Sequence, residues 1–345
     1  MIEQWLIHLA ATYEQFMFVE LREVLNQTDE QFELEIPDYF DPIALVKCAE
    51  KQIDHILNRA IFVKSASRFE FDLKKNTSLV TAKIKLIKVN IELCNENAEK
   101  IIEDNMYLLD GTKYQKIKPQ RLVLLFATKK SIYKTLFYRE SERRNMLRFD
   151  VPKRPFIGIT AMDWELSIMM SNLCNVNNMS LVIDPFVGSG GILMASALFD
   201  SNVIGIEKNL KSLIGQNERK GNVRTQLKGT KIGDNFSFLG KSNNLICIFL
   251  CDMTKINFNI KADAIITDPP YGCRISLKSA GCVFKLEHLK NFCDKFLKVN
   301  GKICFWAVES DAEKVNSIFI SYKFILSVPQ KLAGYYRTLY LYQKL

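Results

Sequence analysis

The sequence predicts an α/β protein: a mostly parallel, doubly wound sheet in its C-terminal half and a smaller α+β unit ahead of it. Three observations carry this. From about residue 156, nearly all-apolar runs of strand length alternate with helical patterns, as strands buried on both faces between helices require. Residues 1 to about 138 follow another grammar, in which helices and alternating, half-buried strands mix without a βαβ rhythm. The tail, "KFILSVPQKLAGYYRTLYLYQKL", holds two strand patterns with no helix between them, which predicts an antiparallel edge pair.

The bulk properties agree. The chain has 345 residues, 48% of them hydrophobic, enough for about two domains with proper cores. Clean apolar runs such as Leu122 to Ala127 are too short to span a bilayer. Glu3, with no basic residue before the first apolar stretch, argues against a secretory signal, so a cytoplasmic, non-membrane protein is expected. The nine cysteines are irregularly spaced and form no C-x-x-C, so neither a disulfide framework nor a metal site in this chain is expected. The net charge is +9 and unevenly spread: residues 1–50 hold 11 acids and two bases, residues 113–154 hold 13 bases and three acids. Such a basic stripe suits a face that meets phosphates, although a solvated lysine-rich surface has the same composition.

In order along the chain, "WLIHLA" reads as a strand and "YEQFMFVELREVLN" as an amphipathic helix. "PIALVKCAEKQIDHILNRA" reads as a second helix; "AIFVKSAS", "RFEFDL" and "AKIKLIKVNIEL" read as strands, "ENAEKIIEDNMYLL" as a helix and "QRLVLLFATK" as a strand. Residues 139–155 read as a basic linker closed by Pro152 and Pro155, and residues 156–345 as the second domain. There, "SLVIDPF", "NVIGIE", "LICIFLCD", "ADAIITDPP" and "GKICFWAV" are strands; "GGILMASALFD", "NLKSLIGQNERKG" and "FKLEHLKNFCDKFLKV" are helices.

"IDPFVGSGG" lies between a strand and a helix. Gly188, Gly190 and Gly191 remove side chains where the backbone turns sharply and where a ligand could approach the main chain. A tight turn alone would look the same. Glu207 ends the next strand, 17 residues after Gly190, where an acid can bind a ribose hydroxyl pair. Leu193 stands where a dinucleotide fingerprint wants its third glycine, and no Walker lysine follows. The better reading is a nucleoside with a small charged tail, S-adenosylmethionine. At the third strand end, Asp252 could accept from the adenine amine and Met253 pack on its ring; Asp252 could equally cap a turn.

The fourth strand ends in Asp268-Pro269-Pro270-Tyr271, at the edge where doubly wound sheets bind ligands. Methylating a ring amine needs acceptors on the amine hydrogens, because the nitrogen lone pair is delocalised into the ring. It also needs the ring held flat and aimed at the methyl donor. Asp268 offers the acceptor, Pro269 and Pro270 stiffen a carbonyl-rich turn, and Tyr271 can stack on a base. A rigid strand exit is the plainer alternative. His8, His55 and His288 are scattered, which leaves direct transfer as the simplest chemistry.

Taken together, "RPFIGITAMDWELSIMM", "IDPFVGSGGILMASALF", "VIGIEKN", "NFSFLG" and "DAIITDPPYGCR" resemble the catalytic subunit of the eukaryotic and archaeal tRNA guanosine-10 2-amino methyltransferase family. "NRAIFVKSASRFE" resembles a strand of that family's RNA-binding THUMP region. The resemblance implies a Rossmann-like class I methyltransferase domain behind a THUMP-like module at residues 1–138. It implies cofactor contacts from Thr160, Met162, Asp184, Phe186, Gly188, Ser189, Gly190, Glu207, Asp252 and Met253. It also implies amine chemistry at Asp268, Pro269, Pro270 and Tyr271, with Tyr271 and Arg274 on the substrate. The implied substrate is tRNA, and the implied partner is a small zinc-binding activator subunit on the sheet edge. The chain departs from the family pattern at Ala161, Ser189 and Glu207-Lys208-Asn209. Methylation of rRNA guanine or of adenine 6-amino groups, or an RNA-binding subunit without catalysis, are the other readings.

Overall fold

The computed structural model describes residues 2–69, 80–88, 112–114, 121–128, 131–158, 161–214, 230–270 and 284–345. It divides into two compact units, Met1–Arg143 and Arg144–Leu345. The division falls inside the expected linker. That stretch is ordered backbone: a strand runs to Glu140, and a short helix and two 3-10 turns follow between Arg143 and Lys153.

The first unit is one eight-stranded mixed sheet. Its elements are β1 Ile2–Leu9, α1 Glu14–Leu25, β2 Glu33–Glu35, β3 Ile43–Ala49, α2 Glu50–Arg59, β4 Val63–Arg68, β5 Val80–Lys88, β6 Thr112–Tyr114, β7 Arg121–Ala127 and β8 Ile132–Glu140. The strand order is β2-β3-β1-β4-β8-β7-β5-β6, with parallel pairs only at β5–β7 and β5–β6. The expected helix "PIALVKCAEKQIDHILNRA" is corrected here: its first half is β3 and only its second half is α2. Ile43 to Val46 are all buried, so β3 lacks the polar alternation that marks a one-sided strand. Glu20 of α1 is buried, and its two carboxylate oxygens accept from the backbone N–H groups of Ile61 (3.1 Å) and Phe62 (2.9 Å). A buried charge is tolerated only when paired in this way, and here it ties α1 to the start of β4. The predicted segments "RFEFDL", "ENAEKIIEDNMYLL" and part of "AKIKLIKVNIEL" lie largely outside the described residues.

The second unit begins with α3 Arg143–Met146 at the division, then α4 Trp164–Leu173, β9 Leu181–Asp184, α5 Gly191–Ala197, β10 Asn202–Glu207, α6 Ile232–Leu239 and β11 Leu245–Leu250. It continues with β12 Ala262–Thr267, α7 Leu286–Phe296, β13 Leu297–Val308, α8 Ala312–Ile318, β14 Tyr322–Leu332 and β15 Tyr335–Lys344. The strand order is β11-β10-β9-β12-β13-β15-β14. All pairs from β11 to β13 are parallel, and both pairs of β15 are antiparallel. The expected antiparallel edge pair needs one refinement. The strand that runs against the others, β15, is inserted between β13 and β14, so the sheet ends on β14.

The apolar strand runs are apolar because they are covered on both faces: Ile183, Ile204, Ile206, Ile265 and Ile303 are buried. On α7, Leu286, Leu289, Phe292, Cys293 and Phe296 form the buried stripe of an amphipathic helix. This stripe shares a core with Phe305, Phe319, Tyr340 and Tyr342. Every residue of α4 and α5 is buried. No helix among the described residues is long and apolar enough to cross a membrane.

Candidate active site at the switch point of the sheet

The chain leaves β9 toward β10 and β11, then returns to pair β12 on the other side of β9. Strand order therefore reverses between β9 and β12, and it is beyond the carboxyl ends at such a reversal that open α/β sheets bind their ligands. Asp184 is the last residue of β9, Glu207 the last of β10, and Asp268 the first beyond β12. Three carboxylates picked out in the sequence are thus delivered to one edge by topology alone.

Asp184 is fully buried. Its Oδ1 accepts from the Thr267 hydroxyl (2.7 Å) and from the Phe186 backbone N–H (3.0 Å). Burial pushes its pKa up to about 7; the two hydrogen bonds pull against this, and the charges of Asp268 and Glu207 add to it. A site whose acids raise one another's pKa favours a cationic ligand.

The glycine loop is shaped by backbone angles that side chains resist. Gly188 has φ +51° and Gly190 φ +84°. A Cβ on Gly190 would stand 2.5 Å from Ile232 Cδ1, so the loop has no room for one. Glu207 braces the loop: its Oε2 accepts from Gly188 N–H (3.1 Å) and its Oε1 from Asn209 N–H (2.8 Å). Each oxygen retains a lone pair for a ligand hydroxyl. Ser189 is buried, and Phe186 meets Phe284 edge-on at 5.2 Å.

At the end of β11, Asp252 caps its own turn. Oδ1 accepts from the Thr254 N–H (3.0 Å) and hydroxyl (2.8 Å), and Oδ2 pairs with Lys208 at 3.2 Å. The Thr254 backbone N–H above all, with the Thr254 hydroxyl and Lys208 beside it, holds this carboxyl below its ordinary range against the opposing effect of burial. Met253 is buried in the core with Ile206. Met162 is half-buried, and the neighbouring Asp163 caps α4 by accepting from Glu165 and Leu166 N–H. Pro269 is buried and Pro270 exposed. Thr160, Tyr271 and Arg274 lie outside the described residues.

One residue at this edge was not read from the sequence. Arg337 lies near the start of β15, opposite Val308 at the carboxyl end of β13. Because β15 runs antiparallel, its early residues arrive at the ligand edge. Arg337 Nη1 stands 3.6 Å from Asp268 Oδ2, its guanidinium lies 3.9 Å over the Trp306 ring, and its Nε donates to Gln330 Oε1 at 2.8 Å. Trp306 is in turn fixed by its Nε1–H, which donates to Met170 Sδ at 3.2 Å. Arg337 is a positioning residue for Asp268: a guanidinium locked by a stack and a hydrogen bond presents charge in one place. Arg337→Gln is expected to free Asp268 and to lower about tenfold the kcat of any reaction that uses that carboxylate, with KM within about threefold and Arg337→Lys recovering part of the loss. Steady-state kinetics checks this; equal losses in both variants with a raised KM would point to a structural role instead.

Comparison with known proteins fits this geometry. Residues 152–315 match the family model UPF0020, described as an RMKL-like methyltransferase domain. The tRNA (guanine(10)-N(2))-methyltransferase TRMT11 of Mus musculus is 33% identical over 216 residues, covering 58% of this chain and 47% of that protein. The tRNA (guanine(10)-N(2))-methyltransferase of Saccharomyces cerevisiae is 32% identical over 143 residues, 41% of this chain and 31% of its own length. The chain thus spans about half the length, or less, of these curated relatives. Among solved structures, TrmN from Thermus thermophilus superposes with a TM-score of 0.52 at 13% identity, over 99% of this chain and 100% of that one. SMU.472, solved as a complex with SAH, does so with a TM-score of 0.50 at 11% identity, over 100% and 99%. At such identities these two speak for the fold alone. Residues 152–315 are thus similar to an RMKL-like methyltransferase domain, and the curated proteins this chain resembles include tRNA (guanine(10)-N(2))-methyltransferases.

Proposed function

We propose that this chain transfers a methyl group from S-adenosylmethionine to the exocyclic 2-amino group of guanosine 10 in tRNA. The observation that carries the reading is the placement of Asp268 at the switch point, beside the glycine loop and in electrostatic reach of Asp184. The names of the curated relatives supply the choice of base and RNA.

The residues present fit the cofactor. The Gly188–Gly190 loop presents bare main chain, Glu207 keeps lone pairs for ribose hydroxyls, and the carboxylates of Asp184 and Asp268 suit a ligand bearing positive charge. S-adenosylmethionine supplies an electrophilic methyl on a sulfonium. The protein's own contribution is aim and polarisation. Asp268 accepts from an amine N–H of the target base, which favours a tetrahedral nitrogen and offsets the positive charge that grows on it. Arg337 holds that carboxylate in register. Pro269 and Pro270 stiffen the turn leading to Tyr271, whose ring would stack on the base once it has left its helix.

The rest of the assembly follows from the same reading. The N-terminal unit acts as a THUMP-like module that holds tRNA by the RNA's backbone and shape, with basic residues between 113 and 143 as the phosphate contacts. A small zinc-binding activator docks on the free edge at β11, where Ile246, Phe249 and Leu250 are exposed; unpaired apolar edge strands invite such cover. The assembly works in the cytoplasm.

The test is incubation of the chain, with and without a zinc-binding activator, with isotope-labelled methyl donor and separate tRNA and rRNA pools, followed by nucleoside mass spectrometry. N2-methylguanosine at tRNA position 10 is the expected product. Label confined to rRNA, or recovered as 6-methyladenosine, would overturn the reading.

A further inference from the structure

Arg154 poses a problem that the site as described does not solve. It follows a 3-10 turn, Val151–Lys153, and is only 5% exposed. Its Nε donates to the Phe149 carbonyl at 3.0 Å, and the guanidinium lies 4.5 Å over the Trp164 ring. The Nη2 group is fully buried and has no hydrogen-bond partner among the described residues. The two nearest acids do not close the gap. Asp150 spends Oδ1 on the Val151 N–H, and Asp163 spends Oδ1 on the Glu165 and Leu166 N–H groups, as caps. Neither forms an ion pair with Arg154 among the described residues.

A guanidinium cannot shed its proton to escape burial. Stacking on an indole compensates only in part, and an unpaired buried charge is among the costliest features a fold can carry. Burial pulls the Arg154 pKa down to about 10, with Asp150 and Asp163 acting against the shift. Such a group persists when an anion completes it.

Its position says which anion. Nη1 lies 3.4 Å from where a Cβ on Gly191 would stand, and the Met162 carbonyl lies 3.9 Å from that same point. The guanidinium therefore abuts the main chain one residue past Gly190, on the glycine loop assigned above to the cofactor. Depth excludes a nucleic-acid phosphate, which is bulky and carried on a stiff backbone. A carboxylate on a short flexible tail is the smaller anion, and Nη1, beside Gly191, is the guanidinium atom next to the loop it would follow. The carboxylates of Asp184, Glu207 and Asp268 have no use for a ligand's negative end, so a zwitterionic tail needs a separate cation.

We propose that Arg154 binds the α-carboxylate of the methionine tail of the methyl donor. This rests on the cofactor reading above. The test separates the two by using ligands that differ only in that carboxylate: S-adenosylhomocysteine and its decarboxylated analogue, titrated calorimetrically into the full chain. The wild type should prefer the carboxylated ligand by roughly tenfold or more, the scale of a charge-assisted hydrogen bond. In Arg154→Gln the two ligands should bind within about twofold of each other, and Arg154→Lys should fall between. Because both ligands are measured on the same protein, a general loss of stability leaves the ratio meaningful. Should Arg154→Gln fail to fold, a wild-type ratio in Arg154→Lys overturns the proposal and a reduced one supports it. A wild-type ratio in Arg154→Gln overturns the proposal and leaves the cofactor reading standing. A wild type that binds neither ligand overturns both.

Discussion

Asp268→Ala is expected to lower kcat for methyl transfer by roughly a hundredfold to a thousandfold, the scale seen when one preorganised polar group is removed from a charge-developing transition state. The reason lies in the substrate. An exocyclic amine on a purine shares its lone pair with the ring, so attack requires the nitrogen to leave the ring plane and to gain positive charge. An acceptor fixed on an amine hydrogen lowers the energy of that state more than of the bound reactant, and only such differential contacts raise kcat. Asp268 is placed for this by the end of β12, and its carboxylate is held by Arg337 at 3.6 Å, itself locked between Trp306 and Gln330. Asp268→Asn keeps a carbonyl acceptor but no charge, so its loss should be about tenfold smaller than that of alanine. Because Asp268 also contributes negative charge to the cofactor's site, any loss of cofactor affinity in Asp268→Asn is read separately from the chemical step. The measurement is single-turnover methylation with saturating cofactor, paired with calorimetry. An alanine variant with wild-type kcat would remove Asp268 from the mechanism.

The parts of this site that were legible in the sequence are those whose physics is local. A glycine loop between an apolar strand and a helix, an acid at a strand end and a proline-stiffened strand exit are each specified by a few adjacent residues. Strand–helix alternation then places them on one edge, because a parallel sheet puts all its carboxyl ends on the same side. Arg337 and Arg154 were not legible, for opposite reasons. Arg337 reaches the edge because β15 is inserted antiparallel beside β13, a fact of strand order that no neighbouring residue encodes. Arg154 sits in a stretch read as an exposed basic linker, and nothing in "VPKRPF" distinguishes its buried guanidinium from the solvated side chain of Lys153. The misreading of β3 has the same root: Ile43 to Val46 are buried on both faces, and a short two-sided strand running into an amphipathic helix has no period of its own. Asp252 shows the limit from the other side. The turn cap and the ligand contact were both open, and the turn cap is realised in its hydrogen bonds to Thr254.

The affinity for S-adenosylmethionine, whose sulfonium makes it cationic, is expected to fall about tenfold for each pH unit below 7 and to level off above it, with Asp184 as the titrating group. Asp184 is wholly buried, and its pKa stands near 7 first because of that burial; the charges of Asp268 and Glu207 add to the effect and the hydrogen bonds from Thr267 and Phe186 limit it. In an unfolded chain the same group titrates near 4. A folded pKa raised above the unfolded one means the native state holds the proton more tightly. Its contribution to stability is therefore fully present below pH about 4 and is lost as pH rises through 7. The unliganded protein should accordingly lose thermal stability over that interval, and a cationic ligand, which favours the carboxylate, should restore most of it at pH 8. Below 7 the same ligand must first displace the proton, and each unit costs about 1.4 kcal/mol. Asp184→Asn preserves an acceptor for Thr267 and Phe186 but cannot ionise. It should bind about ten- to a hundredfold more weakly at pH 8, with little dependence on pH between 6 and 8. Calorimetry across that range, on wild type and Asp184→Asn, decides the matter. A variant that keeps the wild-type slope would assign the titration to another group, and a flat wild-type profile would mean that the proton on Asp184 is no obstacle to the ligand.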